Sequence, residues 1–257
     1  MAGSWALVAR PAVGKARATD RSEALRVLFI GNSYTNFNML PALVTRLAQS
    51  GNDVSAIQAT AFTKPGYSLR MHWKRHRALR IIKTGHFSHI VLQSHSLDPI
   101  DRPEQLKQYV DRFVRAIEET GAQAVLYETW ARHPRSSIYR NRPTLSSPDE
   151  MYRRIDEIFR IAAQRSRARL APVGLAFRRM FDEHPDIDLH RADGSHPSWS
   201  GSFLAACVIY GVLTGNSPMT TSYHPFEVTP FQAGKLKQMA AQAIAQSANS
   251  DAFQSVF

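Results

Sequence analysis

Short apolar runs alternate with amphipathic stretches along almost the whole chain, which predicts strands and helices in turn. The predicted strands are residues 26–30, 54–62, 89–93, 124–129 and 170–173. The predicted helices are residues 39–49, 69–83, 103–120, 148–166, 175–182, 199–213 and 230–245. Strands that alternate with helices form right-handed βαβ units, so they build a parallel sheet with helices on both faces. The pattern therefore predicts an α/β fold, a three-layer α/β/α sandwich with about five parallel strands.

The length of 257 residues fits one such domain, which we expect to span residues 25–247. The beginning of the chain is rich in Arg and Ala, and its apolar run at residues 5–9 is shorter than the roughly 7–15 residues of a secretory signal. We expect residues 1–24 to be a disordered leader or a degraded export signal, and residues 248–257 to be a frayed tail. No apolar run reaches about 18 residues, so no membrane span is predicted. The compartment, whether cytoplasmic, periplasmic or secreted, stays open.

The chain carries a net charge of +11, and its densest basic patch is residues 70–80 within the predicted helix 69–83. No recognisable nucleic-acid module and no spaced aromatic platform accompanies this patch. A solvated helix face explains it better, so we predict no specific nucleic-acid partner. A basic rim that attracts anionic substrates or surfaces stays open as the role of this helix. The one cysteine, Cys207, excludes an internal disulfide, and its apolar surroundings indicate a buried packing residue.

A candidate nucleophile lies directly after the first predicted strand, in the tripeptide Gly31-Asn32-Ser33. Ligands of open α/β sheets bind beyond the carboxyl ends of the strands, so this position would expose the Ser33 hydroxyl at the reactive edge. The following helix N-terminus would supply free N–H groups. A second Gly-Asn-Ser, at residues 215–217, follows a helix and precedes a proline, and we interpret it as a turn.

A candidate base and a group that would orient it occur together in Asp193-Gly-Ser-His196. A serine hydroxyl is a poor nucleophile unless a base lies within hydrogen-bond reach, and His196 can be that base. Asp193 can accept from Nδ1–H of His196 and so fix the tautomer of the ring. The alternative is that Asp193 merely caps the following helix. The combination with a serine directly after a strand favours a Ser33–His196–Asp193 triad.

These segments resemble the sequence blocks of the SGNH hydrolases, the GDSL-like esterase and lipase superfamily. Residues 27–35, Val-Leu-Phe-Ile-Gly-Asn-Ser-Tyr-Thr, are similar to its first block, with Asn32 where many members carry Asp. Residues 193–198, Asp-Gly-Ser-His-Pro-Ser, are similar to its last block, and residues 201–210 to the helix that accompanies it. The resemblance implies an SGNH or flavodoxin-like fold and a serine esterase that forms an acyl-enzyme. It implies no metal and no organic cofactor.

The resemblance also implies an oxyanion hole. The N–H of Ser33 would be one donor, and Gly66 matches the glycine that the second block supplies after the second strand. The third block usually offers an Asn side chain, but residues 92–96 read Leu-Gln-Ser-His-Ser. By register His95 takes the place of that Asn, with Gln93 as the other candidate donor.

Asn32, Tyr34 and the loop at residues 131–147 are the predicted substrate contacts, and this loop is also a candidate lid. The expected substrate is a small-molecule or carbohydrate ester, including O-acyl groups on carbohydrate. Acyl chain length, the alcohol partner and the oligomeric state stay open.

Two other functions compete with this prediction. Residues 182–196 are dense in His and acidic side chains, from which a metallohydrolase site could be assembled. Because neither HExxH spacing nor a one-face helical arrangement is present, we predict no metal site, and we assign His72 and His76 to the basic face. The second alternative is a catalytically weak or inactive SGNH-like domain that binds carbohydrate or serves as a scaffold.

Overall fold

The computed structural model describes residues 24–51 and 56–254, with side chains as far as Asn249. The strands are β1 (Leu25–Gly31), β2 (Ile57–Thr63), β3 (His89–Leu92), β4 (Gln123–Tyr127) and β5 (Arg169–Ala171). The helices are α1 (Ser33–Asn36), α2 (Leu40–Ser50), α3 (Leu69–Lys74), α4 (Arg77–Thr84), α5 (Asp98–Asp101), α6 (Pro103–Glu118), α7 (Ile138–Asn141), α8 (Pro148–Ser166), α9 (Val173–Glu183), α10 (Trp199–Thr214) and α11 (Pro230–Gln254). The predicted leader lies outside the described residues except for its last residue, as do residues 255–257 of the predicted tail.

The five strands form one parallel sheet in the order β2-β1-β3-β4-β5. The predicted three-layer α/β/α architecture is therefore confirmed. The chain leaves β1 for β2 on one side and then crosses back to β3 on the other side. The carboxyl ends of β1 and β3 consequently flank the point where the winding reverses, which is where open α/β sheets bind ligands.

Successive residues of the strands point to opposite faces of the sheet and bury two separate cores. Val27 and Phe29 of β1 pack into the core that α2, α9, α10 and α11 cover. Leu28 and Ile30 pack into the core that α4, α6 and α8 cover. Because both faces are buried, the strands are nearly continuous apolar runs. The same holds for α10, which is buried over almost its whole length and is apolar on all sides.

The predicted helix 69–83 is wrong as a single element, because it divides into α3 and α4 at Arg75 and His76. His76 has a left-handed φ of 54°, which ends one helix and turns the chain into the next. Trp73 packs edge-on against Phe113 of α6, at 5.2 Å between ring centroids. This contact fixes α3, so the chain must turn before Ala78 of α4 can be buried in the same core.

The C-terminal helix is longer than the predicted 230–245, since α11 continues to Gln254. Ser247, beyond the predicted end, is still buried, and Arg179 of α9 donates to Gln246 of α11 at 3.1 Å. Packing against α9 therefore extends the helix into the predicted frayed tail. The predicted loop 131–147 also contains a short helix, α7. Among the described residues, none of the helices combines the length and apolarity that a membrane span needs.

Candidate active site

The turn after β1 presents Ser33 at the sheet edge. The strand ends at Gly31, and Asn32 caps α1 by accepting the N–H of Tyr34 at 3.0 Å through Oδ1. A Cβ at Gly31 would lie 2.3 Å from Oγ1 of Thr35 and 2.6 Å from Oε1 of Gln93. The turn therefore closes only because this residue has no side chain, and Ser33 follows as the first helical residue.

Ser33, His196 and Asp193 form one hydrogen-bonded chain. Nδ1 of His196 lies 2.6 Å from Oδ2 of Asp193, and Oγ of Ser33 lies 2.9 Å from Nε2 of His196. With the ring proton on Nδ1, donating to the carboxylate, Nε2 is free to accept from the serine hydroxyl. Partial burial raises the pKa of Asp193, but hydrogen bonds from the His196 side chain and from two backbone N–H groups outweigh it and lower the pKa to about 2. Asp193 is thus a carboxylate whenever the protein is near neutral pH.

Asp193 also folds the loop that carries His196. Its Oδ1 accepts the backbone N–H groups of Ser195 and His196, both at 2.9 Å. It is not the cap of the following helix, because Ser198 caps α10 by accepting from Gly201 N–H at 3.1 Å. The one carboxylate therefore shapes the loop and orients the ring. The second Gly-Asn-Ser is confirmed as a turn that follows α10.

Distant side chains hold this loop, which we call the histidine loop (residues 190–198), against the nucleophile turn. Asn38, with a left-handed φ of 51°, donates through Nδ2 to the carbonyl of Ser198 at 2.8 Å. Trp130, just beyond β4, donates through Nε1 to the carbonyl of Ser195 at 3.1 Å. Sequence reasoning missed both residues. For Trp130 the available signal was its position directly after a strand.

Aromatic rings enclose His196. The ring of Phe37 lies 4.6 Å from that of His196, and Tyr34 approaches it edge-on at 5.5 Å. Tyr34 is stacked on Trp130 at 4.6 Å and is 3% exposed. Tyr34 therefore packs against His196 and Trp130 with little surface left for a substrate, and its predicted substrate contact stays a prediction.

Asn32 and Gln93 bind the backbone around the nucleophile turn. Nδ2 of Asn32 donates to the carbonyls of Tyr67 at 2.9 Å and Ser94 at 3.3 Å. Oε1 of Gln93 accepts from the N–H of Asn32 at 2.8 Å and from the hydroxyl of Thr35 at 2.9 Å, while Nε2 donates to the Ser94 carbonyl. Asn32 is 3% exposed and Gln93 is fully buried. The amides of Asn32 and Gln93 are therefore already engaged, which favours a supporting role, while the predicted substrate contact and oxyanion donor stay predictions.

His95 and Gly66 are in different situations from Gln93. Nδ1 of His95 accepts the N–H of Leu97 at 3.3 Å, so a neutral His95 ring carries its proton on Nε2 and can donate from there. Gly66, with φ of 72°, is the third residue of a turn that the Tyr67 N–H closes onto the Lys64 carbonyl at 3.1 Å. Within the described part of the chain, the backbone N–H groups of Gly66 and Ser33 have no acceptor. All three groups therefore keep a donor available.

His72 is buried and does not belong to the basic face to which the sequence assigns it. Its side chain is 1% exposed, and Nε2 donates to the carbonyl of Gly31 at 2.9 Å. Burial lowers the pKa of His72, and the hydrogen bond only partly opposes this effect. A neutral imidazole therefore holds the last carbonyl of β1, directly behind the nucleophile turn.

Arg132 connects three loops beside His196. Its guanidinium donates to the hydroxyl of Ser96 at 2.9 Å and to that of Ser195, and it lies over the ring of Tyr34 at 5.6 Å. Burial lowers the pKa of Arg132 to about 10, so the group is still cationic at neutral pH. Arg132, together with Ala131 and His133, joins the predicted contact loop 131–147 to the histidine loop through hydrogen bonds. No cluster of three or more His, Cys, Asp or Glu side chains suited to a metal ion occurs among residues 24–51 and 56–254.

Comparison with solved structures identifies the family to which this chain belongs. No protein-family model and no curated protein matches the chain. One solved structure is that of a protein from Slackia heliotrinireducens that is described as a presumed SGNH hydrolase. It is 31% identical to this chain, and the match covers 74% of this chain and 99% of that chain with a TM-score of 0.63. The chain belongs to the SGNH hydrolase superfamily. The resemblance that rested on the two sequence blocks is confirmed.

Two further solved structures share the fold of this SGNH domain. A DUF4886 family protein from Bacteroides uniformis is 20% identical, with 86% of this chain and 95% of that chain covered and a TM-score of 0.71. A variant of an acetyl-xylooligosaccharide esterase from Geobacillus is 14% identical, with 75% and 95% covered and a TM-score of 0.58. At these identities the likeness concerns the fold alone.

Proposed function

We propose that this SGNH hydrolase is a serine esterase that cleaves carboxylic ester bonds, with Ser33 as nucleophile, His196 as general base and acid, and Asp193 as the group that orients His196. The observation that carries the proposal is the hydrogen-bonded chain from Ser33 Oγ through His196 to Asp193, with distances of 2.9 Å and 2.6 Å. It lies beyond the carboxyl end of β1, at the reversal point of the sheet.

In this mechanism Nε2 of His196 takes the Ser33 proton as Oγ attacks the ester carbonyl carbon. The bond to the alcohol oxygen then breaks as Nε2 returns that proton to the leaving alcohol. Water, deprotonated by His196, attacks the acyl-enzyme, releases the carboxylic acid and restores the Ser33 hydroxyl. The pKa of about 2 keeps Asp193 ionised throughout, so it can stabilise the imidazolium that forms twice in the cycle.

The oxyanion of each tetrahedral intermediate would be held by the N–H groups of Ser33 and Gly66 and by Nε2–H of His95. What supports these three is that each has an uncommitted donor at the ends of β1, β2 and β3. Donors of this kind typically contribute about 10²–10³ each in rate, because they point at the charge that develops in the transition state.

The decisive experiment measures hydrolysis of 4-nitrophenyl acetate and of longer acyl esters by the wild type, Ser33→Ala and His196→Ala. We expect each variant to lose at least about 10³-fold in kcat, since a triad acts as a unit. Ser217→Ala is the matched control, because Ser217 belongs to the second Gly-Asn-Ser and lies in a turn after α10. A fluorophosphonate probe should add its mass to the peptide that contains Ser33 in the wild type and in the control.

Equal residual rates in the wild type, Ser33→Ala and His196→Ala would sink the proposal. Absence of turnover by all four proteins, together with binding of acetylated oligosaccharides that Ser33→Ala does not alter, would favour the alternative of an inactive carbohydrate-binding domain. Acetylated xylo-oligosaccharides belong in the substrate panel because one structure of the same fold is an acetyl-xylooligosaccharide esterase.

A further inference from the structure

A groove of about 660 Å³ runs beside the histidine loop, between it and the segment that leads into α7. Its walls include Arg135, Ser136 and Ser137 from that segment, Arg140 from α7, and Arg191 from the histidine loop. The Gly194 carbonyl accepts the N–H of His133 at 2.9 Å, so the two walls are joined at the end nearest Asp193. We call this feature the arginine groove.

The arginines of the groove lack acidic ion-pair partners among the described residues. Arg142, Arg178 and Arg179 each form ion pairs with Asp or Glu. Arg135 and Arg140 are exposed, and within the described residues neither has an acidic group in ion-pair contact. Several unpaired cations around one concavity raise the local concentration of an anion.

The two acids on the walls, Asp188 and Asp193, offset these cations only in part. The carboxylate of Asp193 is committed to His196 and to two backbone N–H groups. Asp188 also lines the groove and is exposed, but none of the groove arginines pairs with it among the described residues. Three arginines and two carboxylates therefore line the groove, so its charge stays net positive and its three guanidinium groups have no ion-pair partner among the described residues.

Arg191 connects the groove with the reacting groups. Its guanidinium lies over the ring of Phe37 at 5.2 Å, and that ring lies 4.6 Å from His196. In the proposed mechanism His196 protonates the leaving alcohol, so the alcohol part of the ester must leave from the side of His196. The ring of Phe37 thus lies between the guanidinium of Arg191 and His196, the residue that protonates the alcohol oxygen in the proposed mechanism.

We propose that the arginine groove binds an anionic group, a carboxylate or a phosphate, on the alcohol portion of the ester substrate. The inference rests on the proposed esterase function and names its substrate class. Guanidinium groups pair with carboxylate and phosphate oxygens through two parallel hydrogen bonds, and the hydroxyls of Ser136 and Ser137 can donate further ones.

The test compares matched anionic and neutral esters. One pair is O-acetylated polygalacturonate against O-acetylated xylan, and the other is the acetate ester of glycerol phosphate against that of glycerol. In a variant with Arg135→Gln, Arg140→Gln and Arg191→Gln, we expect kcat/KM to fall at least about tenfold more for the anionic member of one pair than for its neutral partner, mainly through KM. The pair that responds identifies a carboxylate or a phosphate as the ligand.

The matched control changes the same net charge elsewhere, with Lys83→Gln, Arg115→Gln and Arg153→Gln, all exposed residues on other helices. An equal loss in this control would overturn the inference, because the effect would then come from overall charge and not from the groove. Equal losses on the anionic and neutral members of both pairs would overturn it as well.

A binding measurement keeps the inference separate from the esterase function. Unacetylated polygalacturonate and glycerol phosphate are titrated into Ser33→Ala protein with and without the three groove substitutions. If the wild type hydrolyses no ester but the groove substitutions still abolish binding of one anion, the esterase function fails and the groove survives. If turnover occurs without any preference for anions and neither anion binds, the groove inference fails and the esterase function survives.

Discussion

Two loops meet at the Ser33 turn, and their polar side chains differ in solvent exposure. In the histidine loop the side chains of Asp193 and His196 remain 48% and 29% exposed. In the loop after β3, which we call the glutamine loop (residues 93–96), Gln93 and Ser94 are 0% and 2% exposed. In the proposed mechanism His196 exchanges protons with substrate and water, so it needs access to both. Groups that hold a turn in place need burial and complete hydrogen bonding.

The comparison separates residues expected to affect rate from residues expected to affect folding. A half-exposed carboxylate contributes modestly to stability, because water screens its interactions in the folded chain. Removal of the buried Gln93 amide leaves the N–H of Asn32 and the hydroxyl of Thr35 without their partner. The same sheet edge therefore contains two classes of polar residue with different consequences for mutation.

The largest expected effect is the loss of rate in Asp193→Asn. The amide cannot fix the Nδ1–H tautomer of His196 or stabilise the imidazolium, so we expect kcat to fall about 10²–10⁴-fold. The midpoint of thermal unfolding should change little at pH 7, and ester turnover with differential scanning calorimetry would measure both quantities. A large drop in stability with kcat preserved would reverse the assignment of the two loops.

His95 is the one residue of the glutamine loop that we expect to behave like the histidine loop. His95→Ala should lower kcat about 10²-fold with KM nearly unchanged, because it removes one oxyanion donor. His95→Asn should recover much of the loss, since Asn supplies the donor that other members of the superfamily place here. Equal rates for wild type and His95→Ala would leave only the N–H groups of Ser33 and Gly66 in the oxyanion hole.

Gln93→Leu should act mainly on stability, in contrast to His95→Ala, which should act on rate. It orphans the buried N–H of Asn32 and the hydroxyl of Thr35, so we expect a loss of about 2 kcal/mol in the free energy of unfolding. Urea denaturation measures this loss, and Gln58→Leu on β2, where the side chain is exposed, is the control. A stable Gln93→Leu protein with normal kcat would contradict the positioning role.

The smallest expected effect concerns Glu128, which lies directly after β4 and is fully buried. Burial raises the pKa of Glu128 well above its usual range, so the folded state holds a proton that the unfolded state has lost above about pH 4.5. Stability of the wild type should therefore fall as pH rises through that range. Above about pH 4.5 the free energy of unfolding should fall less steeply with pH in Glu128→Gln than in the wild type, by up to about 1.4 kcal/mol per pH unit. Exposed Glu157→Gln is the control, and an identical slope in Glu128→Gln and wild type would disprove the burial effect.

Local patterns predicted the elements well where one face or the whole element is apolar. The strands were recognisable because both faces of the sheet are covered, which makes each a short apolar run bounded by turns. The boundaries failed where a tertiary contact decides. The contact of Trp73 in α3 with α6 divides one predicted helix into two. The packing of α11 against α9 prolongs the last helix.

For the candidate site, the sequence by itself determined the residues that carry reactive groups. Ser33 follows a strand, and Asp193 lies three residues from His196, so a local turn suffices to join the carboxylate to the ring. Only the tertiary structure decided that Asn32, Tyr34, His72 and Gln93 are buried supports, and that Asn38, Trp130 and Arg132 hold the loops together. The physical reason is distance along the chain. A buried amide or guanidinium gains its role from partners brought near by the sheet, and no spacing in the sequence records those partners.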